Sequence, residues 1–410
     1  MEENNKNNEP LNKDFKVPKL RFPEFKDEWK NGHFDNLFSF LSTNSLSWDD
    51  LSNNKEGIKN VHYGIIHASE ENIISSVSLP TIKKDFIPKK LNYFKDGDIF
   101  LADTSEDRKD CGKPLEIDNE NNFKIVGGLH TIHVTDKSNL CIPHFKAYSL
   151  QTPRYHKFTY CFAEGIKVFS LKPSLFKYFT FYYPQSKIEQ SKIVKLIDNL
   201  DHKIEILMMK LDTLKKYKEG LIQQALKSTI KVPLNKLINE SLNKTVTNNQ
   251  YVLLSSTAKG IFLQSDFFNH QVASKNNIGY KILEEGQIVF SPQNLWLGNI
   301  NLLTKYKIGC VSPSYKIFDI NTKIVDSNYL IEIMRTKLFL HKYKLCSEQG
   351  ASVVRRNLDL DQFLNIRVPI PSNDKFYSLL KEINYLIEKE SSKLNIIISI
   401  KNYLLKNMFI

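Results

Sequence analysis

The chain has 410 residues, of which 41% are hydrophobic and 25% are charged. This length and apolar content suffice for two folded domains with cores of their own, which excludes a disordered or fibrous chain. The 57 lysines and arginines exceed the 45 aspartates and glutamates by 12, and this balance favours a polyanionic partner over an acidic one.

The cysteines and the N-terminal residues indicate the compartment. The five cysteines lie far apart in the sequence, which is neither a disulfide framework nor a zinc-ligand pattern. Residues 1–14 are polar and are predicted to form a disordered tail, and the longest aliphatic run, Ile396–Ile400, is too short to cross a bilayer. We therefore expect a cytoplasmic protein without a membrane segment.

The sequence contains a diverged internal repeat. The strand-like run Gly97–Asp103 recurs as Gly286–Pro292, which is a shift in residue number of 286 − 97 = 189. Downstream, Glu164-Gly165 and Gln349-Gly350 each begin a segment that leads into a long helix. The repeat predicts a first domain over 15–186, a long helix over 187–229, a second domain over 230–372 and a second long helix over 373–410.

The two long helices share a heptad pattern at a constant shift in residue number, which relates Ile197 to Leu380 because 380 − 197 = 183. A plain amphipathic helix packed on its own domain is the simpler interpretation of a short stripe, but roughly 40 residues, or about 60 Å, exceed what one domain buries. The predicted seam consists of Ile193, Ile197, Leu200, Ile204, Leu207, Leu211, Leu214 and Leu221 in the first helix and Leu380, Ile383, Ile387, Leu394, Ile397 and Leu404 in the second.

The predicted fold class is α/β, with two α/β domains separated by two long helices. Two similar halves fused head to tail pack most simply around a pseudo-two-fold axis, so we expect the helices to form an antiparallel coiled coil. Strands are predicted at Ile99–Ala102, Lys124–Val126, Thr131–Thr135, Gln287–Ser291 and Lys316–Ile320, and a helix is predicted at Asn328–Lys344.

No catalytic, cofactor or metal site is predicted. Cys111–Pro114 has proline where a Walker loop needs a hydroxyl residue, and Gly127-Gly128 lacks the third glycine of a dinucleotide fingerprint. His130 and His133 fall in a predicted strand, where their spacing puts them on opposite faces. The carboxylates between Asp103 and Asp110 are interpreted as a solvated loop.

Two clusters of side chains suit DNA binding, which uses Arg or Lys for guanine, Asn or Gln for adenine and cations for phosphates. For each residue taken singly, a solvated surface role is an equal alternative. The first cluster adjoins tyrosine and phenylalanine residues and consists of Arg108, Lys109, Lys113, Arg154, His156 and Lys157. The second cluster consists of Gln293, Asn294, Trp296, Arg355, Arg356 and Asn357.

Two segments resemble a known family. The string Val-Pro-Lys-Leu-Arg-Phe-Pro-Glu-Phe at residues 17–25, followed by Trp29, resembles the N-terminal signature of type I restriction-modification specificity subunits. The segment Tyr183–Ile193 resembles the family segment that opens the long helix. The second helix departs from the pattern, because Asn373-Asp-Lys375 replaces Glu-Gln, and this puts symmetric docking of partners in doubt.

The resemblance implies a DNA-binding specificity subunit without catalysis of its own. Its two target-recognition domains would read a bipartite target with an unread spacer. By this resemblance, the chain would bind double-stranded DNA and would assemble with two modification subunits and two restriction subunits. S-adenosylmethionine for adenine methylation, ATP and magnesium would then bind only to those partner subunits, and no cofactor would bind here.

Two other function classes remain open at this stage. One is a self-contained DNA methyltransferase or nuclease, which needs motifs that we do not find in the sequence. The other is a coiled-coil scaffold that binds nucleic acid without sequence preference. The duplication with two unlike binding clusters favours the reading of two DNA sequences.

Overall fold

The computed structural model describes residues 17–267, 276–349 and 355–410, so the predicted tail at 1–14 lies outside the described residues. The chain divides into two compact units. Unit 1 comprises Met1–Ile206 and Lys393–Ile410, and unit 2 comprises Leu207–Ser392. Within the described ranges, no helix has the length and apolarity needed to cross a membrane.

Unit 1 is built around a five-stranded sheet with the order β2-β11-β7-β9-β5, beside a four-stranded sheet with the order β10-β4-β6-β3. Its strands are β1 (Lys30–His33), β2 (Phe38–Leu41), β3 (Leu51–Ser52), β4 (Lys59–Val61), β5 (Ile73–Ser75), β6 (Thr81–Ile82), β7 (Ile99–Ala102), β8 (Thr104–Ser105), β9 (Pro114–Asp118), β10 (Ile125–Gly127), β11 (Thr131–Asp136), β12 (Glu164–Gly165), β13 (Phe169–Ser170) and β14 (Thr180–Tyr183). Its helices are α1 (Phe34–Leu37), α2 (Tyr63–Ala68), α3 (Phe145–Ser149), α4 (Pro153–Phe162) and the first part of α5 (Lys187–Leu226).

Unit 2 has a four-stranded sheet with the order β16-β23-β20-β21. Its strands are β15 (Lys231–Pro233), β16 (Ile238–Glu240), β17 (Leu254–Thr257), β18 (Gly260–Leu263), β19 (Lys281–Glu284), β20 (Ile288–Phe290), β21 (Ile300–Leu302), β22 (Ile308–Val311), β23 (Lys316–Ile320), β24 (Ser347–Gln349), β25 (Arg356–Leu358) and β26 (Arg367–Pro369). Its helices are the last part of α5, α6 (Leu234–Leu237), α7 (Gln264–Phe267), α8 (Ser327–Met334), α9 (Lys337–Leu345), α10 (Leu360–Leu364) and the first part of α11 (Asp374–Met408).

The same succession of elements occurs in both units. Each begins with strand, short helix and strand, as β1-α1-β2 and as β15-α6-β16. The central pairing β2-β11-β7 of unit 1 returns as β16-β23-β20 in unit 2, and the first strand pairs antiparallel with the last, β14 or β26. The predicted α/β fold class with an internal duplication is therefore confirmed.

The core of unit 1 combines residues from distant parts of the sequence. Trp29 packs against Phe145 and Phe409, with ring centroids 6.0 Å and 6.3 Å away. Ile193 and Ile197 of α5 are buried in the same cluster, as are Leu405, Met408 and Phe409 near the end of the chain. In unit 2, the equivalent cluster contains Ile222 and Ala225 of α5 and Leu380 of α11.

The long helices pair antiparallel. In unit 1, Lys401 forms an ion pair with Asp201 at 2.5 Å, and in unit 2, Lys210 forms one with Glu390 at 3.0 Å. Higher residue numbers in one helix thus meet lower numbers in the other. Every residue of the predicted seam is buried or half-buried, which is the burial that a heptad stripe requires.

Two local expectations were wrong. The helix predicted at Asn328–Lys344 is two helices, α8 and α9, because the Thr336 hydroxyl accepts a hydrogen bond from the amide of Phe339 and starts a new helix. His130 is not in a strand: it precedes β11 in the left-handed conformation, with a φ of 54°.

Candidate nucleic-acid interface

The loops that carry the predicted clusters lie beside equivalent hairpins in the two units. In unit 1, β8 follows β7 and pairs with β13 of the hairpin β12–β13. In unit 2, the 3₁₀ turn Pro292–Leu297 follows β20 and contacts β25 of the hairpin β24–β25. The loop after a central strand therefore meets a hairpin in both units, and these two places carry different side chains.

Arg108 lies on an aromatic platform in unit 1. Its guanidinium carbon is 4.9 Å from the ring centroid of Tyr160 and 5.7 Å from that of Phe169. Its Nη2 also donates a hydrogen bond to the carbonyl oxygen of Ala163 at 3.0 Å. Cation–π contacts and a charged hydrogen bond fix this side chain, whereas the neighbouring Lys109 is exposed.

Arg154 does not join this cluster. It lies in the first turn of α4, whereas Tyr160 lies near the other end of that helix. The guanidinium carbon of Arg154 is 4.5 Å from the ring centroid of Tyr182, and its Nη1 donates to the carbonyl oxygen of Ile410 at 3.5 Å. Arg154 thus contacts the part of unit 1 that holds the end of the chain.

The remaining predicted residues of unit 1 differ in exposure. The Nζ of Lys113 donates to the carbonyl oxygen of Ser69 at 2.6 Å, and burial lowers the pKa of this lysine. His156 and Lys157 are exposed on α4. Of these three residues, Lys113 is engaged inside the unit and the other two remain accessible to a ligand.

Unit 1 also has a ring cluster that the sequence interpretation missed. The ring centroids of Trp48 and His62 are 4.5 Å apart, those of His62 and Tyr63 are 4.6 Å apart, and those of Tyr63 and His130 are 5.3 Å apart. The Nδ1 of His130 lies 3.1 Å from Oδ1 of Asp103, directly after β7. Trp48 is 52% exposed, so this ring cluster has an open face on which a base could stack.

The chemistry of His62 fits a neutral, stacking ring. Burial and the nearby imidazole of His130 lower the pKa of His62. Its Nδ1 accepts a hydrogen bond from the amide of Gly64 at 3.1 Å, as a neutral imidazole can. Because the members of the ring cluster come from separate parts of the sequence, no local pattern indicated it.

In unit 2, Trp296 lies close to two cations. Its ring centroid is 6.0 Å from Nζ of Lys344 and 6.0 Å from the guanidinium carbon of Arg356. The Nε of Arg356 donates to Oγ of Ser347 at 2.8 Å, which holds the guanidinium beside the indole. The structure therefore brings together Trp296 and Arg356 of the second predicted cluster and adds Lys344.

The other members of the second cluster surround this group. Gln293 is exposed and Asn294 is half-buried in the 3₁₀ turn that carries Trp296. Arg355 and Asn357 are exposed on either side of Arg356. The hairpin and the turn thus offer amide and guanidinium groups that can reach DNA base edges.

A buried polar network supports the strand that follows the 3₁₀ turn. The Nδ2 of Asn301 donates to Oγ of Ser256 at 2.7 Å, and this hydroxyl donates to Oδ1 of Asn299 at 3.0 Å. The Nε of Arg335 donates to the carbonyl oxygen of Ile300 at 3.0 Å. These bonds tie β21 to β17 and α8, and no sequence pattern indicates them because each residue is ordinary on its own.

Cations and rings are the binding groups of this candidate interface. Across residues 17–267, 276–349 and 355–410, no group of three or more His, Cys, Asp or Glu side chains is arranged to hold a metal ion. The arrangement combines fixed cations, exposed cations and accessible rings, which are the groups that contact phosphates, base edges and base faces.

Comparison with known proteins addresses the fold. No family model and no curated protein matches the sequence. Among solved structures, the S subunit of a type I restriction-modification system from M. genitalium is 14% identical, with a TM-score of 0.59. The match covers 96% of this chain and 99% of that one. The fold is that of a type I restriction-modification S subunit.

Two further structures give similar coverage with lower scores. A chain from work on complex assembly and conformational transition of the type I R-M system is 10% identical over 92% of this chain and 96% of its own, with a TM-score of 0.47. The HsdS subunit from Thermoanaerobacter tengcongensis is 11% identical over 93% and 96%, with a TM-score of 0.40.

Within this S-subunit fold, the last part of α11 exposes apolar side chains. Ile396, Ile400 and Tyr403 are 59%, 43% and 61% exposed. Their spacing of four and then three positions puts them on one face of the helix. We call these three residues the α11 stripe. An exposed apolar stripe of this kind is typical of a surface that another protein covers.

Proposed function

We propose that this chain is the DNA-specificity subunit of a type I restriction-modification complex. It reads a bipartite DNA target whose two parts flank an unread spacer, and it directs adenine methylation or restriction by partner subunits. The observation that carries the proposal is the S-subunit fold over nearly the whole chain, combined with two equivalent units whose surfaces differ.

The two surfaces suit two different half-sites. In unit 1, Arg108 and Lys109 supply positive charge, and the ring cluster around Trp48 supplies a stacking face. In unit 2, Trp296 and Arg355 lie with amide side chains on a hairpin and a turn. Base contacts specify sequence locally, while the net charge of +12 favours phosphates of any sequence.

The reaction chemistry belongs to the partners in this proposal. Two modification subunits would carry S-adenosylmethionine, and two restriction subunits would use ATP and magnesium, while this chain is not an enzyme by itself. The α11 stripe supports a protein partner on the long helices. The complex would act on double-stranded DNA in the cytoplasm.

The test is single-molecule methylation sequencing of DNA from cells that express this chain together with its cognate modification subunit. The control cells express the modification subunit alone. A methylated adenine in a two-part motif with a fixed gap, present only with this chain, is the expected result and gives the target and the spacer at once. A stable complex that adds no motif would contradict the proposal.

A binding experiment separates sequence reading from a general affinity for nucleic acid. The complex is titrated with a duplex that carries the motif and then competed with random duplex at a fixed salt concentration. Specific proteins prefer their site by about a thousandfold or more. Equal competition by both duplexes would favour the non-specific scaffold.

A further inference from the structure

Unit 2 contains a cavity of about 530 Å³ between the end of α5 and the start of α11. Leu221 and Phe376 provide apolar lining, and the lysines at its edge are Lys227 and Lys375. Ser372 lines the cavity just before α11 begins. An apolar floor beside two cations suits a ligand that combines an aromatic group with a carboxylate.

The constant shift in residue number between the two helices identifies the equivalent place in unit 1. It relates Leu221 to Leu404, because 404 − 221 = 183, and Lys375 to Lys192, because 375 − 192 = 183. The same shift relates Ser372 to Glu189, since 372 − 189 = 183. The cavity of unit 2 therefore has a counterpart at the start of α5 and the end of α11.

In unit 1 this counterpart is filled by the N-terminal arm, which we define as Val17–Trp29. The amide of Leu20 donates to the carbonyl oxygen of Asn407 at 2.8 Å. The Nε and Nη2 of Arg21 donate to the two carboxylate oxygens of Glu189 at 2.7 Å and 2.9 Å. The indole nitrogen of Trp29 donates to the same carboxylate at 3.1 Å.

The arm also brings a carboxylate and two rings to a lysine. Glu24 forms an ion pair with Lys192, and this pair lowers the pKa of Glu24. The Nζ of Lys192 lies 5.8 Å from the ring centroid of Phe22 and 5.5 Å from that of Phe25. The arm thus offers Lys192 an acidic–aromatic segment, Phe22–Phe25.

Unit 2 keeps one half of this arrangement and lacks the other. Lys375 stands in the place of Lys192, so the cation for a carboxylate is present, and Lys227 adds a second cation. Ser372 stands in the place of Glu189, so the partner for an arginine is missing. Only the short link 227–230 connects α5 to β15, whereas unit 1 receives the whole arm before β1.

We propose that this cavity binds an extended acidic–aromatic peptide segment of a partner protein. The carboxylate of the segment pairs with Lys375 and Lys227, and its aromatic side chain rests on Leu221 and Phe376. The proposed contacts are made by side chains of the ligand. The carbonyl of Gln224, the counterpart of Asn407, accepts the amide of Lys227 at 3.1 Å. This inference goes beyond DNA reading and does not depend on it.

The probe is a fluorescein-labelled synthetic peptide with the sequence of Val17–Trp29 and the change R21S, which removes the group that pairs with Glu189. Fluorescence anisotropy is measured with the full-length protein in the absence of DNA. We expect saturable binding of one peptide per chain. A second peptide that also carries E24K should bind about tenfold more weakly, since it offers a cation to two lysines.

A charge reversal in the protein makes the test specific to the cavity. Lys375→Glu should weaken binding of the R21S peptide by about tenfold and restore binding of the R21S, E24K peptide. Lys381→Glu, on an exposed lysine of the same helix away from the cavity lining, is the matched control and should change neither affinity. The thermal unfolding midpoint checks that both variants fold.

Three results would overturn the inference. They are the absence of saturable binding, equal binding of both peptides, and binding that Lys375→Glu leaves unchanged. Because no DNA is present, none of these results bears on the specificity role, and failure of the methylation experiment would leave peptide binding untouched.

Discussion

Unit 1 and unit 2 share a strand order, and both bury charged side chains, such as Glu390 in unit 2, but the most deeply buried polar groups near their central strands differ. Unit 1 buries ionisable side chains around its central sheet: Glu116 and Lys146 are each 1% exposed. Unit 2 buries the amides of Asn299 and Asn301 and the hydroxyl of Ser256 near its central strands. Neutral groups need only hydrogen bonds, whereas buried charges need partners, so unit 1 should be more sensitive to pH and to the loss of one partner.

The surfaces of the two units also differ, in how their rings and cations are arranged. In unit 1, one arginine lies on rings, and a separate ring cluster has an open face. In unit 2, one ring lies close to both Lys344 and Arg356. The same frame therefore carries two unlike surfaces, and a change on one surface should leave the half-site read by the other unit unaffected.

The comparison of the interiors is tested most strongly at Lys146. Its ammonium is buried beside Asp136 and 4.8 Å from the ring centroid of Phe38. Lys146→Met leaves a carboxylate without its cation, and we expect the free energy of unfolding of unit 1 to fall by about 3–5 kcal/mol. Hydrogen exchange with mass spectrometry, resolved by unit, measures this loss.

Lys90→Met, at an exposed lysine of the same unit, is the matched control and should change little. The double variant with Asp136→Asn should recover part of the loss, since it removes the uncompensated charge. Equal destabilisation of both units by Lys146→Met would contradict the comparison.

The periodic features of the chain could be predicted from the sequence, because their signal repeats. The strand at Ile99–Ala102 is a continuous apolar run and is fully buried, as expected of a central strand. The strand predicted at Lys316–Ile320 is also present. The repeat that relates Gly97 to Gly286 reflects equivalent turns before β7 and β20, where both glycines have positive φ angles.

The buried charges and the ring cluster could not be predicted. A lysine or a glutamate is expected at the surface, and only the tertiary fold shows that Lys146 and Glu116 lie near each other inside unit 1. Trp48 meets His62, and Tyr63 meets His130, through contacts between residues far apart in the sequence, which leave no periodic signal. The contact of Arg154 with Ile410 could not be predicted for the same reason, since the two residues are 256 positions apart in the sequence.

The pH dependence of unit 1 is the next largest effect. Burial raises the pKa of Glu116 from its ordinary value of 4.5 to about 7. A raised pKa means that the folded state holds the proton more tightly, so the free energy of unfolding falls as pH rises from about 4.5 to 7, by on the order of 3 kcal/mol.

Glu116→Gln should remove most of this slope and make unit 1 more stable at pH 8 than in the unchanged protein. Both proteins are denatured chemically at pH 5, 6, 7 and 8, and hydrogen exchange follows the unfolding of unit 1. The measurement gives, for each protein, the slope of the free energy of unfolding against pH. The same slope in both proteins would show that another group causes the pH dependence.

The comparison of the surfaces is sharpened by a pair of tryptophan variants. Trp296→Ala removes the ring close to Lys344 and Arg356, and Trp48→Ala removes the half-exposed ring of unit 1. We expect each variant to weaken DNA binding by about 1–3 kcal/mol. The loss should occur only with targets in which the half-site read by the changed unit is intact.

Binding of the assembled complex to three duplexes measures this: the full target and two targets with one half-site replaced. Trp296→Ala should lower the affinity of the complex for the full target. For the duplex that lacks the second half-site, the variant and the unchanged complex should bind equally weakly. Loss on all three duplexes would mean that the ring contacts DNA without regard to sequence.

The smallest expected effect distinguishes two neighbouring arginines. Arg355 is exposed, whereas Arg356 donates to Ser347 and lies beside Trp296. Arg355→Ala should weaken binding to the second half-site alone by about 1 kcal/mol, and the double variant with Arg356→Ala should weaken it further. Uniform weakening with a reduced salt slope would instead identify both as phosphate contacts.

The packing of Leu405, Met408 and Phe409 into the core of unit 1 has a consequence for synthesis of the chain. Unit 2 comes from one continuous segment and can fold once residue 392 has left the ribosome. Unit 1 begins to emerge first but lacks part of its core until Leu405, Met408 and Phe409 appear. Pulse proteolysis of stalled nascent chains should therefore find unit 2 protected at a shorter chain length than unit 1. A truncation that removes Leu405, Met408 and Phe409 should damage unit 1, although its synthesis begins first.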